Sequence, residues 1–375
     1  MVTILPRISS ENNLPDFTPF EIEQTSYDVS CVQYEEATDR KLKVKGDTVI
    51  LGGYGASIRV EHKALVLSYG RMSEEDKTIR LFKGTNKVRQ IILVSDGGYV
   101  SIEAIKFCIQ ENINVLMLDW RGSLIQVLTP KHPSNAKLIC KQYLASQGDM
   151  GLSISVELIR QKTLSQIATL EKYPHLDKQA YAIDALEKGL SELHRIPTLE
   201  KLRTVEGTMA SAYFAALTGI PILWDKKTAK IVPPHWLSIT GRNSPLSKSH
   251  GARWAINPCH SCLNFAYALL EAQILQAVIM AGLEPTCGYL HAYQAEKNTL
   301  CHDLMEPFRA KIDHMVLQFF GKTVFSRGDF YQVYSGEVRL NEELRRYILA
   351  TCRVAQTDID ALVLWLKGTL ENYSL

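Results

Sequence analysis

For 45 residues, from Lys226 to Leu270, the sequence has neither Asp nor Glu. The same stretch carries Lys226, Lys227, Lys230, Arg242, Lys248 and Arg253, with His235, His250 and His260 beside them. Cations without local anions create a positive field of the kind that attracts a phosphate backbone. The competing explanation is a solvated loop balanced by charge elsewhere in the fold, since the whole chain carries only +2. Other absences are as informative. No repeat at a fixed period and no low-complexity tract is present, which excludes a solenoid or a disordered scaffold. The N-terminus lacks the basic, apolar and small-residue succession of a secretory signal, so a cytoplasmic chain is expected. In that reducing compartment the eight irregularly spaced cysteines are expected as free thiols. The most apolar run, Leu263 to Gly282, is interrupted by Asn264, Glu271, Gln273 and Gln276. It therefore reads as a buried core helix, and no membrane partner is expected.

What is present falls into two kinds of pattern. Up to about residue 130, short runs rich in Val, Ile and Leu alternate with Gly, Asp, Asn or Ser. Strands are expected over 48–51, 56–62, 64–68, 79–82, 90–94, 115–119 and 123–128. One helix, 101–111, interrupts them, its apolar face carrying Ile102 and Ile105. The Leu51-Gly-Gly-Tyr-Gly55 run is followed by strand-like sequence and reads as a turn rather than a phosphate loop. Beyond Pro130 and Pro133 the spacing becomes helical: 136–146, 153–172, 176–194, 198–217, 263–280, 304–320 and one or two helices within 341–367. The expected fold class is α+β, a mostly-β domain (41–130) followed by a larger all-α domain (131–375). Residues 1–40 are expected as a partly ordered extension without an assigned role.

Four residues of the helical half could together hold one divalent metal: Glu206, His291, Asp303 and Glu306. On a helix Glu206 shares its face with Leu202, Met209, Ala210 and Tyr213. A carboxylate in that apolar stripe needs a partner, either a buried Arg or Lys or a metal. Asp303 and Glu306, spaced i and i+3, face the same way. Pro307 is best tolerated in a first helical turn, which predicts that both acids lie at a helix start. His291 follows Gly288-Tyr289-Leu290 in a loop after Gly282 and Pro285 end the preceding helix. Hard carboxylate oxygens with one imidazole suit Mg²⁺ or Mn²⁺ better than zinc, a donor set common in enzymes acting on phosphodiesters. A competing zinc site would draw on Cys259, Cys262, Cys287, Cys301 and His302, but no second C-x-x-C is present.

The sequence around these residues resembles the CRISPR-associated integrase family, the metal-dependent DNA endonuclease and integrase of the CRISPR adaptation module. The resemblance lies in the segment from Thr198 to Phe214 around Glu206, in Asn257-Pro258 followed by Leu263-Asn-Phe-Ala-Tyr267, and in Gly282-Leu-Glu-Pro285. Gly288-Tyr-Leu-His291 and Asp303-Leu-Met-Glu306-Pro-Phe-Arg309 complete it in the same order, and the likeness extends over about residues 45–350. It implies that the β domain is sandwich-like, with Glu206, His291 and Glu306 as metal ligands, Asp303 as a supporting carboxylate of the catalytic site, and Arg309 beside a DNA phosphate. Arg242, Lys248 and Arg253 would hold the DNA backbone next to it. His260 stands where the family commonly has an amide, and Gly241-Arg-Asn-Ser-Pro245 lacks the proline pair many members carry.

The implied activity is joining of a short DNA fragment, by its 3′-hydroxyl, into a CRISPR repeat array, with hydrolysis at the same site. The implied partners are double-stranded DNA, a second copy of the chain and a small companion subunit. Two alternatives remain at this point. One is a transposon-borne integrase of the same superfamily, which would be expected to carry a further C-terminal DNA-binding module beyond the roughly 50 residues after Phe325. The other is a non-catalytic, zinc-containing nucleic-acid-binding protein.

Overall fold

In a computed structural model, the described residues are 44–373, apart from 46, 54, 70–77, 96, 120–121, 123, 131–134, 241–254, 292–296 and 335. The expected extension at 1–40 and the cations Arg242, Lys248 and Arg253 lie outside them, as does Pro133 beside the expected domain boundary.

The β-rich part begins with β1 (Val44–Lys45), β2 (Thr48–Gly52), β3 (Ala56–Glu61), β4 (Ala64–Ser68), β5 (Thr78–Phe82), β6 (Gln90–Val94) and β7 (Gly98–Val100). Helix α1 (Ile102–Gln110), capped by the Ser101 hydroxyl accepting from Ala104 N–H, leads to β8 (Asn114–Leu118) and β9 (Leu124–Leu128). These strands form a five-stranded sheet, β1-β2-β6-β8-β9, and a four-stranded sheet, β5-β4-β3-β7. β2, β6 and β8 run parallel, while β1 and β9 pair antiparallel at the edges.

Strand alternation assigns the two faces of the larger sheet to two different cores. Val49, Leu51, Ile91 and Val115 pack with Ile58, Leu65, Leu67 and Phe107 inside the sandwich. Their neighbours Ile92, Val94, Leu116 and Leu118 join the core of the helical part. A sheet buried on both faces explains the nearly unbroken apolar runs Ile91–Val94 and Val115–Leu118. The two parts are thus fused through one sheet. The expected α+β architecture is the observed one. Strand pairing goes beyond what periodicity can tell, and β7 is too short to announce itself.

The helical part contains α2 (Ala136–Ser146), α3 (Asp149–Leu170), α4 (Gln179–Glu192), α5 (Leu199–Leu217), α6 (Pro258–Ala281) and α7 (Thr299–Lys322). A small hairpin, β10 (Phe330–Gln332) with β11 (Val338–Leu340), precedes α8 (Glu342–Thr351) and α9 (Gln356–Glu371). Helix α6 is long and apolar enough to cross a membrane, with mean hydropathy 1.4, yet 78% of that stretch is buried inside the fold. It is the central helix. It starts five residues earlier than the apolar run indicates, because Asn257 caps it and Pro258 occupies its first turn. The Asn257 amide also donates to the carbonyls of His235 and Ser238, 2.8 Å each, tying the preceding segment to the helix start. Helix α6 closes on Gly282, whose φ of 78° is the left-handed conformation that favours glycine.

Helix α7 corrects one expectation. It begins at Thr299, so Asp303 and Glu306 lie one to two turns inside it and Pro307 is an interior residue. Pro307 has no N–H for the carbonyl of Asp303, so the helix forgoes one bond there. Burial of Leu300, Leu304, Phe308 and Ile312 around this point supplies the compensation, at roughly 1.5–3 kcal/mol per large apolar side chain.

Candidate active site

The site forms where α3, α5 and α7 meet the loop that follows α6. Helix α5 is capped by the Thr198 hydroxyl accepting from Lys201 N–H, and its core face carries Leu202, Val205, Met209 and Tyr213. Glu206 sits at the margin of that face, its side chain 24% exposed. From α7 the Glu306 carboxylate points inward, 6% exposed. Between them stands a residue that the sequence reading missed. Lys162 of α3 places Nζ 2.5 Å from Glu206 Oε1 and 2.7 Å from Glu306 Oε2.

Lys162 belongs to the buried stripe Leu158, Lys162, Gln166 and Thr169 of α3. A lysine at i+4 from a core leucine, with no acid at i±3 or i±4 on its own helix, was the available signal. A buried ammonium needs carboxylates from elsewhere, and here it has two. Glu206 therefore has the buried cationic partner that its apolar surroundings require.

The electrostatics follow from this crowding. Burial pushes the Glu306 carboxyl up, but Arg309 and Lys162 outweigh it and hold it at about 2. Burial likewise favours a neutral Lys162, and the two glutamates reverse that and keep it charged. Arg309 Nε donates to Glu306 Oε1 at 2.9 Å, and its guanidinium lies over the Tyr267 ring, 5.0 Å from the centroid. Behind it, the hydroxyls of Tyr213 and Tyr267 both donate to the buried Asp313 carboxylate. Arg309 is thus committed to protein partners that orient Glu306.

His291 is held by a loop with unusually complete hydrogen bonding. Asp303, fully buried, accepts the backbone N–H groups of Tyr289, Leu290 and His291 at 2.5, 2.9 and 3.0 Å, and meets His291 Nδ1 at 2.6 Å. Arg203 of α5 clasps the Leu290 carbonyl through Nε and a terminal nitrogen, at 2.8 and 2.6 Å. Further back, Gln142 of α2 bonds both the N–H and the carbonyl of Glu284 and the carbonyl of Cys287. Thr299 bridges the Thr286 carbonyl and the Gly288 N–H. Because a carboxylate only accepts, Nδ1 carries the proton toward Asp303, and Nε2 lies at the far edge of the ring. The imidazole itself remains 42% exposed.

The donor set fits a divalent ion in its chemistry. Two carboxylates flank one cation position, and Glu306 Oε2, although 2.7 Å from the ammonium, has no aligned hydrogen-bond donor. A neighbouring imidazole is oriented through its far nitrogen by a carboxylate, the usual support for a metal-binding histidine. The cation actually seated between the carboxylates is Lys162. Among the described residues no three His, Cys, Asp or Glu side chains converge as a metal cage. Cys259, Cys262, Cys287 and Cys301 are buried and in no disulfide, and burial pushes the Cys262 and Cys301 thiols well up.

Of the cationic segment, Lys226, Lys227 and Lys230 are exposed. Asp225, just outside the acid-free run, accepts from the N–H groups of Lys227 and Thr228 and from the Thr228 hydroxyl. His260 is buried, and its Nε2 lies 2.7 Å from the Thr240 carbonyl, so it donates there as an amide would.

Comparison with known proteins places this architecture. The family model for CRISPR associated protein Cas1 matches residues 49–353. The CRISPR-associated endonuclease Cas1 1 of Archaeoglobus fulgidus is 26% identical over 311 residues, covering 81% of this chain and 86% of that protein. The protein of the same name from Thermus thermophilus is 29% identical over 310 residues, covering 80% and 84%. Among solved structures, a casposase bound to its integration product superposes with a TM-score of 0.68 at 25% identity, covering 86% of this chain and 89% of that one. A Cas1 protein from Thermotoga maritima superposes with a TM-score of 0.65 at 15% identity, covering 87% and 98%, a likeness of fold. With the matched region running from β2 through α8 and enclosing every residue of the site, the chain belongs to the Cas1 family of CRISPR-associated endonucleases.

Proposed function

We propose that the chain is a metal-dependent DNA endonuclease and integrase that joins short DNA fragments, by their 3′-hydroxyl, into a CRISPR repeat array. The observation that carries this reading is the convergence of the Glu206 and Glu306 carboxylates on one cation position, with His291, near enough to Glu306 to act on its charge, oriented by Asp303. Glu206, His291 and Glu306 would hold Mg²⁺ or Mn²⁺. When bound, such an ion supplies Lewis-acid polarisation of the scissile phosphate and lowers the pKa of the attacking hydroxyl.

The remaining tasks fall to the protein. Asp303 fixes the His291 ring and the backbone that carries it, so the reacting groups meet a preformed surface. Arg309 fixes Glu306 through Nε, and a contact of the rest of its guanidinium with a DNA phosphate is part of this proposal. Exposed Lys226, Lys227 and Lys230, with Arg242, Lys248 and Arg253 of the same segment, would grip the backbone without reading sequence. Binding should accordingly weaken steeply with salt. A second copy of the chain and a small companion subunit complete the assembly in this proposal. A Cas6-RT-Cas1–Cas2 complex, whose matching chain shares this fold with a TM-score of 0.63 at 17% identity, is the support for a companion of that kind. The cytoplasm is the proposed compartment.

The casposase likeness favours a second reading, integration of transposon ends by the same chemistry. One assay separates them: a short duplex offered to a plasmid bearing a CRISPR repeat, in Mn²⁺, with and without the companion subunit. Insertion at the repeat border supports the first reading, and insertion indifferent to the repeat supports the second. Glu206→Ala should abolish joining while leaving DNA binding intact. Unchanged joining by that variant would remove Glu206 from the active site.

A further inference from the structure

Lys162 is the element of the site that the proposed chemistry leaves unused. Its Nζ sits 2.5 Å from Glu206 Oε1 and 2.7 Å from Glu306 Oε2, and its side chain is 9% exposed. A Mg²⁺ or Mn²⁺ ion bridging those same oxygens would lie about 2.1 Å from each. Such an ion would claim the same two oxygens that the ammonium now holds at 2.5 and 2.7 Å, and two cations cannot share them. Helix α3 packs along α7 through its buried face, so the helix itself is not free to retreat. Four methylenes are, because lysine places its charge at the end of a flexible stem. Glu206, 24% exposed, marks the side from which an ion can enter.

We propose that Lys162 is a tethered counter-ion that occupies the divalent-cation position between Glu206 and Glu306, so that ammonium and metal take turns in the site. Without metal, Lys162 keeps two carboxylates of different helices together and in register. Metal entry swings the ammonium out of the pair, and the exchange sets the metal concentration at which the site loads. The inference rests on the metal-dependent reading above and concerns loading rather than turnover.

The test is direct Mn²⁺ binding by the full chain, read by electron paramagnetic resonance of free Mn²⁺ and by the thermal midpoint, for wild type, Lys162→Met and Glu206→Gln. Lys162→Met is expected to bind Mn²⁺ at least tenfold more tightly than wild type. Its metal-free midpoint should fall, and Mn²⁺ should raise it by more than in wild type. A second measurement needs no variant: acylation of Lys162 by an N-hydroxysuccinimide ester, followed by mass spectrometry. Mn²⁺ should increase labelling of Lys162 several-fold while leaving exposed Lys226 unchanged. Glu206-dependent Mn²⁺ binding that Lys162→Met leaves equal or weakens overturns the proposal alone, as does labelling that ignores Mn²⁺. Binding indifferent to Glu206→Gln overturns the metal assignment, and the proposal with it.

Discussion

His291 Nδ1 lies 2.6 Å from Asp303 Oδ1, and the same carboxylate receives the backbone N–H groups of Tyr289, Leu290 and His291. One buried acid therefore fixes both the ring and the main chain that carries it. This differs from the role of Glu306, three residues along α7, whose carboxylate turns toward Lys162 and Arg309. The i, i+3 spacing that puts both acids on one face also divides their work, one organising a loop and the other facing the cleft.

Replacing Asp303 by Asn keeps the shape but turns an acceptor into an NH₂ group facing N–H donors. Asp303→Asn should lower stability by about 1–3 kcal/mol, the range for leaving buried hydrogen-bonding groups unsatisfied. Because the ring orientation is lost as well, metal-dependent cleavage should fall by about 10–100-fold. Urea unfolding and a Mn²⁺ titration of nuclease activity read the two effects separately. Activity within a factor of two of wild type would mean that the ring needs no such support.

Gly288 is where the loop passes closest to α7. A Cβ added there would come 2.8 Å from the Thr299 carbonyl carbon and 2.9 Å from Asp303 Oδ2. Gly288→Ala should cost about 1–3 kcal/mol, as overpacking does, and should impair cleavage by displacing Asp303. Gly207, next to Glu206, has open space where its Cβ would be. Gly207→Ala should be neutral in stability or gain up to about 1 kcal/mol from helix propensity. Thermal unfolding of the pair decides whether crowding, rather than glycine loss in general, is responsible.

Arg309 is held by Glu306 on one side and the Tyr267 ring on the other. Arg309→Met removes one partner of a buried ion pair and should destabilise by about 3–5 kcal/mol. Arg309→Lys keeps the charge but loses the planar contact with the ring, and should fall between the two. Denaturant midpoints test the order. A lysine variant as unstable as the methionine variant would show that the geometry of the guanidinium, more than its charge, holds Glu306.

Much of this arrangement is legible in the chain because it is local or periodic. The helical spacing over 198–217, with Leu202, Met209 and Tyr213 on one face, gives α5 to within a residue and puts Glu206 on that side of it. The spacing of Asp303 and Glu306 puts them on one face wherever the helix begins. What escaped was decided by distant partners. Lys162 is a lone cation on a buried face, and its meaning lies 44 residues away at Glu206. Pro307 suggested a helix start, but packing of Leu300, Leu304 and Phe308 carries α7 through it. Ile91 and Ile92 look alike in sequence, yet they serve different cores because one sheet has two covered faces.

His314, further along α7, gives the stability a pH dependence independent of the site. It is buried, its Nδ1 is 2.9 Å from the Tyr173 hydroxyl, and burial, aided by Lys172 and Lys322, lowers its pKa to about 4. In the unfolded chain the imidazole titrates near its ordinary value of about 6.5. Between those values the unfolded chain binds the extra proton and the folded one does not, so protonation favours unfolding. The stability contributed by a neutral His314 is therefore complete above about pH 6.5 and is lost as pH falls toward 4. From pH 7.5 to 5 the wild type should lose about 1–2 kcal/mol from this group, after allowance for partial solvent screening. His314→Gln, which does not titrate there, should show a correspondingly flatter profile in urea unfolding. Parallel profiles for the two proteins would assign the pH dependence to other groups.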